Sequence, residues 1–382
     1  MWLRSAPQGA EARGSKPTCV GLDEPRNGRV SRSCGLQGPP AARQSRFRGG
    51  LVFCPGALVN SGSCAASARP LRLACIGHAA LDHVFQIRAF PGHPTKTPAQ
   101  AYAMQPGGMA LNASIAAARL GASVRLLGRV GEDDAAAFLR RRLIDEQVEV
   151  GGLEAVAGAV TSVSAIAVDA RGERQIYNHR GDALERAHAL DQRQLAGADI
   201  VLADPRWRAG AASALRWARE QGLPSVLDAD IAPREDLCAL VALARWAVFS
   251  EPGLHCFAPG VEAKAALALA LNKGCDVAVV TRGARSVLWM RRGIALQEMK
   301  VPQIKARDTL GAGDVFHAAL AVALGEGMTE SRAVAFAVAA AALKCKNGQG
   351  AFGAPSRVDL ARHGPAFAGQ NQHRAARQPA QP

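Results

Sequence analysis

The chain is 382 residues long, with 48% apolar and 20% charged residues, which is enough to bury a substantial core and excludes a small scaffold stapled by disulfides. Its net charge of +14 suggests a nucleic-acid binder until it is divided along the chain: residues 1–72 hold eleven Lys/Arg against three Asp/Glu, residues 357–382 four against one, and the middle keeps only +3. Basic ends do not make a basic face, so neither nucleic acid nor a membrane is an expected partner.

Residues 1–70 mix Gly, Pro, Ser and Arg with little apolar periodicity and are expected to be disordered. Their acid-poor composition fits a transit peptide only loosely, and residues 51–66 lack the flanks of a secretory core, so a start placed too early is the simpler account. No apolar run approaches the ~18 residues of a membrane span. Nine cysteines without a C-x-x-C pair read as free thiols in a reducing compartment, and a cytoplasmic protein is expected.

A folded domain is expected over residues 71–356. Its first apolar run, residues 73–77, ends in glycine as a buried parallel strand does. Asp82 follows shortly, where α/β sheets bind ligands beyond strand carboxyl ends, and could hold two sugar hydroxyls. Residues 84–104, and later 162–169 and 175–179 joined through a turn at Gly172, break the strand–helix rhythm. They read as antiparallel strands of a small projecting sheet, either a lid that excludes water or ordinary edge decoration. Gln105-Pro106-Gly107-Gly108 leads into a helical pattern over 109–120, a glycine turn that could face a ligand or be turn chemistry alone. Further apolar runs at 124–127, 200–203, 225–227, 247–249 and 277–281, each followed by a helical pattern, predict a mostly parallel sheet in an α/β fold. After Arg357 the composition reads as a frayed, disordered tail.

The run Asp308-Thr309-Leu310-Gly311-Ala312-Gly313-Asp314 is the most informative segment. Gly311, Ala312 and Gly313 carry almost no side chain, so successive N–H groups at a helix start can approach a phosphate. An acid in such a cradle suits a base that strips a proton from an attacking hydroxyl better than an anchor for a resting polyanion. A dinucleotide fingerprint would need glycine at 316, where Phe316 stands, and no Walker lysine is present. The plain alternative is a helix-capping Asp after a glycine turn.

Gly107-Gly108, the segment Leu127-Gly128-Arg129-Val130-Gly131-Glu132-Asp133-Asp134 and the run 308–314 together resemble the PfkB, or ribokinase-like, carbohydrate kinases over roughly residues 73–355. The resemblance implies a three-layer α/β/α fold with a mostly parallel central sheet and a small β-sheet lid, ATP and Mg2+ as cofactors, a sugar as substrate, and a homodimer through the lid. It implies Asp314 as the base with Gly311, Ala312 and Gly313 as the anion hole, Asp82, Gly107, Gly108 and Asn112 on the sugar, and Thr281, Gly283, Thr309, Gly311, Gly313 and Asn347 on the nucleotide.

Within that family, residues 201–207, 226–228, 249–254 and 314–317 are most similar to the kinases of 6-deoxy-6-sulfofructose, which act on its 1-hydroxyl. The resemblance puts the sulfonate on Lys96, Asn178 and Arg206, and a sulfonate monoanion suits one ammonium, one guanidinium and one amide. The same cations read equally as solvated surface residues; His179 and Arg180 are nearby polar candidates without assigned roles. Leu310 stands where the family commonly has threonine, and Ser250-Glu251-Pro252-Gly253 lacks the last acid of the metal-linked pattern, leaving Glu251, with Asp228 and Asp230, as indirect magnesium helpers or end caps. Residues 346–350 depart from the proline-containing turn of the close relatives, which puts the adenine wall in doubt. Alternatives are another sugar or nucleoside kinase of the family, of ribokinase, ketohexokinase or sugar-6-phosphate kinase type, and a catalytically silent sugar or nucleotide sensor.

Overall fold

The computed structural model describes residues 69–184 and 189–368; the expected disordered leader and the last residues of the tail lie outside them. The first half of the domain contains β1 (Arg72–Gly77), β2 (Ala80–Gln86), β3 (Ala101–Gly107), α1 (Met109–Arg119), β4 (Ser123–Val130), α2 (Asp134–Asp145), β5 (Leu153–Ala155), β6 (Ser162–Val168) and β7 (Arg174–His179). Then follow β8 (Ile200–Ala203), α3 (Arg208–Glu220), β9 (Ser225–Ala229), α4 (Arg234–Val241), β10 (Trp246–Ser250), α5 (Glu251–Phe257), α6 (Ala263–Lys273), β11 (Val277–Thr281), β12 (Ser286–Arg291), β13 (Gln297–Lys300), α7 (Ala312–Gly325), α8 (Glu330–Asn347) and α9 (Arg357–Ala368).

Nine strands form the main sheet in the order β13-β12-β11-β10-β9-β8-β1-β4-β5. Its interior is parallel, and the six apolar runs of the sequence are its central strands. The antiparallel edge strands β12 and β13 have no counterpart in the sequence reading, because they form a simple hairpin onto β11 rather than a strand–helix unit. Side chains alternate between two cores: Leu73 and Cys75 pack with α1, α2, α7 and α8, whereas Ala74 and Ile76 pack with α3, α4 and α6. Burial on both faces is why these strands read as unbroken apolar runs and why the architecture is a three-layer α/β/α fold.

A separate four-stranded sheet has the order β3-β2-β6-β7. Its strands start earlier and end later than the 84–104 span expected, and Asp82 lies within β2 rather than in a loop. The sheet is also not wholly antiparallel: β2 pairs with β6 in parallel. The chain leaves the β2–β3 hairpin, passes through α1, β4, α2 and β5, and returns as β6, and a long crossover of this kind is the connection that parallel pairing needs. Asp133 roots the small sheet to the body. Its carboxylate caps α2 through the Ala136 N–H at 2.9 Å and accepts the N–H and hydroxyl of Thr161 at 2.8 and 2.7 Å.

The expected tail after Arg357 is helical as far as Ala368. Ser356 and Asp359 hydrogen-bond each other's backbone N–H groups, at 3.0 and 3.1 Å, and Leu360 is buried against the core. This is a capping box three residues apart, followed by one apolar anchor, and it outweighs the polar composition of the segment. Among the described residues no helix is long and apolar enough to cross a membrane, and the five cysteines among them are free thiols.

Candidate active site

Acidic residues gather where parallel strands end. Asp204 follows β8, and Asp228 and Asp230 stand at the end of β9. Asp204 is 1% exposed, and its carboxylate accepts the N–H groups of His78 at 2.8 Å, Ala110 at 3.0 Å and Arg206 at 2.8 Å. It thereby holds the first turn of α1 beside the end of β1, where the helix dipole favours an anion. Gly77 has φ 143°, and a Cβ there would stand 2.3 Å from this carboxylate, so side-chain-bearing residues are excluded. Gly108 precedes α1 at φ 91°, and its Cβ would meet the His78 carbonyl oxygen at 2.5 Å. Sequence reasoning assigned no role to Asp204; its signal was an Asp-Pro step directly after a four-residue buried strand.

The run 308–314 turns into α7 through Gly311, whose φ of 76° is left-handed. Ala312 and Gly313 are the first two helical residues, and Asp314 sits in the first turn, where N–H groups lack intrahelical partners. Asn112 reaches across from α1 and donates from Nδ2 to Asp314 Oδ2 at 2.7 Å, while its own Oδ1 is buried without a partner. Removal from water, and then the negative charge of Asp228, push the Asp314 carboxyl up to about 8, although the Asn112 hydrogen bond opposes this. Asp228 is itself buried and held well above the usual carboxylate range, by desolvation first and then by Asp230 and Asp204. His317, one turn along α7, places Nδ1 3.4 Å from Asp228 Oδ2.

Two spaces meet at this turn. An apolar cavity of about 340 Å³ is bounded by Thr281, Gly283, Thr309, Gly313, Phe316 and Val338. A cleft of about 900 Å³ runs between the small sheet, at Val84, Gln105 and Arg174, and the turn at Asp308, Thr309 and Leu310. Thr309 lines both. Gly313 has no positive φ, and a Cβ there would meet nothing within 4 Å. No contact within the chain requires glycine at that position.

The small sheet contributes a polar row in register, Gln105, Asp82, Ser164 and Asn178. Asp82 is 6% exposed and pushed up to about 6 by burial, tempered by its hydrogen bond with Ser164. It packs on Gly107, where a Cβ would fall 2.2 Å from Oδ2. Asn178 donates to Ser164 Oγ at 3.1 Å. At the row's end, His78 Nε2 lies 2.8 Å from Ser162 Oγ, which in turn donates to the His179 carbonyl at 3.2 Å. Burial, and then the nearby positive charges of Arg206 and Arg180, lower the His78 imidazole to about 4.

Other expected residues fall differently. Arg206 donates to the Ile231 carbonyl at 2.8 Å and faces Asp230 at 3.8 Å. Lys96 is exposed in the loop between β2 and β3, without an ion pair among the described residues. Asn347 lines the cleft rather than the apolar cavity, because its side chain is drawn to the Gly353 carbonyl at 3.1 Å. Glu251 begins α5 and its carboxylate is held by Arg285, so it is already neutralised as a surface ion pair. No cluster of three metal-ligating side chains exists among the described residues.

If the open space over Gly313 is shaped for an anion, Gly313→Ala will leave the melting temperature unchanged while weakening the affinity for ATP about tenfold or more, because a methyl group stands between the N–H groups and the phosphate. Thermal melting and calorimetric titration with ATP check this; unchanged affinity would contradict it.

The profile of the pfkB family carbohydrate kinases matches residues 71–357. Ribokinase of Haemophilus influenzae is 27% identical over 282 residues, 71% of this chain and 91% of that protein. Ribokinase of Bacillus subtilis is 29% identical, covering 67% of this chain and 86% of that protein. The crystal structure of a candidate ribokinase from Agrobacterium tumefaciens superposes with a TM-score of 0.74 at 32% identity, covering 79% of this chain and 98% of that one. The ribokinase of Arabidopsis thaliana solved with ribose and ATP, at 22% identity and a TM-score of 0.68, shares the fold. With its glycine turn, half-buried acid and two adjoining cavities, the chain belongs to the pfkB carbohydrate kinase family and is an ATP-dependent sugar kinase.

Proposed function

We propose that this kinase transfers the γ-phosphoryl of ATP to a primary hydroxyl of an anionic ketose, 6-deoxy-6-sulfofructose, giving its 1-phosphate. The observation that carries the chemistry is the Asn112–Asp314 pair at 2.7 Å beside the start of α7. In this reading Asp314 accepts the proton of the sugar hydroxyl as the oxygen attacks phosphorus. The N–H groups of residues 311–313 meet the charge that gathers on the transferring group. The orphaned Asn112 Oδ1 supplies an acceptor for a neighbouring sugar hydroxyl, and Asp82 binds two more. The apolar cavity takes the adenine, with Thr281 and Gly283 at its rim. Asp228 and Asp230 would add negative charge near a magnesium ion carried on the nucleotide, which would supply charge neutralisation of the phosphates.

The preference for an anionic sugar rests on charge. Arg206 and Arg180 both act on the buried His78, whose ring meets Ser162 on the strand that carries Ser164 of the polar row, and Lys96 carries a further charge on the exposed β2–β3 loop. The ion pair of Arg206 with Asp230 favours a second reading, a ribokinase-like enzyme for neutral sugars. A cytoplasmic location accords with the use of ATP.

The outer face of the small sheet carries Tyr102, Met104 and Tyr177, all at least 47% exposed, beside His83 and Phe85. We infer that two copies pair through this face. Sedimentation should give a dimer that Tyr177→Lys dissociates, and a wild-type monomer at micromolar concentration would rule it out.

A coupled assay with sulfofructose, fructose 6-phosphate, ribose and fructose tests the activity. Sulfofructose is expected to have the highest kcat/KM, lowered by Lys96→Ala and Arg206→Ala; a higher value for a neutral sugar would transfer the assignment to the second reading. Asp314→Asn should lower kcat by about 10²–10⁴ with ATP binding retained.

The pH profile follows from the raised Asp314 carboxyl. Only its ionised form can accept a proton, so kcat/KM for the sugar should rise with pH through about 8. A flat profile across that range would show that Asp314 is not the group titrating.

A further inference from the structure

The side chain of Lys344, near the end of α8, is fully buried at 0% exposure. A lysine is among the residues least often found so deep, and an ammonium is held there only by a partner. Its Nζ donates to Asp308 twice, to Oδ2 at 3.0 Å and to the main-chain carbonyl at 3.1 Å.

Asp308 opens the turn that carries the anion cradle. Its Oδ1 accepts the Leu310 N–H at 2.8 Å, which shapes the approach to Gly311. Its Oδ2 accepts the Gly350 N–H at 2.9 Å together with the Lys344 ammonium. The backbone N–H groups of Arg307 and Asp308 reach back to the Cys345 carbonyl at 2.9 and 3.3 Å. One carboxylate thus joins the catalytic turn, the end of α8 and the 348–353 turn, and a single buried cation balances it. The hydrogen bonds and the Lys344 charge outweigh burial and keep Asp308 below the usual carboxylate range.

We propose that Lys344 is an internal cation that positions the phosphate-binding turn, acting through Asp308 and touching neither substrate. The main-chain carbonyl of Asp308 turns inward to the ammonium, the Leu310 and Ala312 N–H groups are held within the turn by Asp308 Oδ1 and the Thr309 carbonyl, and the N–H groups of Gly311 and Gly313 are left for the phosphate space. A neutral side chain at 344 would leave a half-buried carboxylate and the carbonyl repelling each other, and the turn would relax away from the phosphate. Sugar binding, which uses α1 and the small sheet, would be untouched.

This inference rests on the kinase reading, and the test separates the two. Lys344→Ala removes the ammonium and the three methylenes that carry it, a space matched by propylammonium. The expected result is a KM for ATP raised about tenfold or more and a lowered kcat, with sugar KM within about twofold and saturable recovery of both ATP parameters by propylammonium but not by 1-propanol. Equal recovery by 1-propanol, or a folded variant with wild-type ATP kinetics, would overturn the proposal. Should Lys344→Ala fail to fold, Lys344→Met with Asp308→Asn removes both charges together and leaves no lone ion. That double variant should melt near the wild type yet keep the raised KM for ATP, and a wild-type KM in it would equally overturn the proposal. Wild-type protein that neither binds nor turns over ATP would defeat the kinase reading instead.

Discussion

A carboxylate partly withheld from water is the constraint on which the remaining structure depends. In the proposed mechanism Asp314 sits where desolvation and neighbouring acids raise its affinity for a proton, yet stays open to a sugar hydroxyl on one side. Carrying a carboxyl from its usual range to about 8 corresponds to a few kcal/mol working against the ionised form. The fold supports that cost through packing elsewhere. The first turn of α7 is followed by a run buried from Val315 to Ala323 and packed against α1, α8 and the sheet, so the acid cannot retreat to solvent by tilting its helix.

The other acids around it do different work. Asp204 is satisfied by three backbone N–H groups and serves as a rigid clamp between β1, α1 and the segment after β8. Asp228 has no such set of donors, faces His317 at 3.4 Å, and acts on Asp314 through charge. Asp308 is held ionised by hydrogen bonds and a lysine. Burial raises Asp204, Asp228 and Asp314 alike, whereas hydrogen bonds and Lys344 keep Asp308 below the usual range.

Much of this was legible in the sequence. Double-sided burial writes parallel strands as unbroken apolar runs, and glycines pressed against carboxylates at 77 and 107 leave visible punctuation. The motif at 308–314 suggested the proposed chemistry because a phosphate cradle permits few residue types. What stayed hidden depended on distance in the chain. Nothing local marks Lys344 as the partner of Asp308, thirty-six residues earlier. The parallel pairing of β2 with β6 depends on a crossover through α1, β4, α2 and β5, and α9 on a capping box within a polar tail. The intrachain partners of Asn347 and Glu251, Gly353 and Arg285, lie outside any motif and so were equally hidden.

The most direct measurement is a crystal structure of the protein with a non-hydrolysable ATP analogue and sulfofructose. The account predicts the γ-phosphate against the N–H groups of residues 311–313 and the sugar's 1-hydroxyl within hydrogen-bonding distance of an Asp314 carboxylate oxygen. A ternary complex with the phosphates seated away from the start of α7, or with no sugar hydroxyl near Asp314, would contradict it.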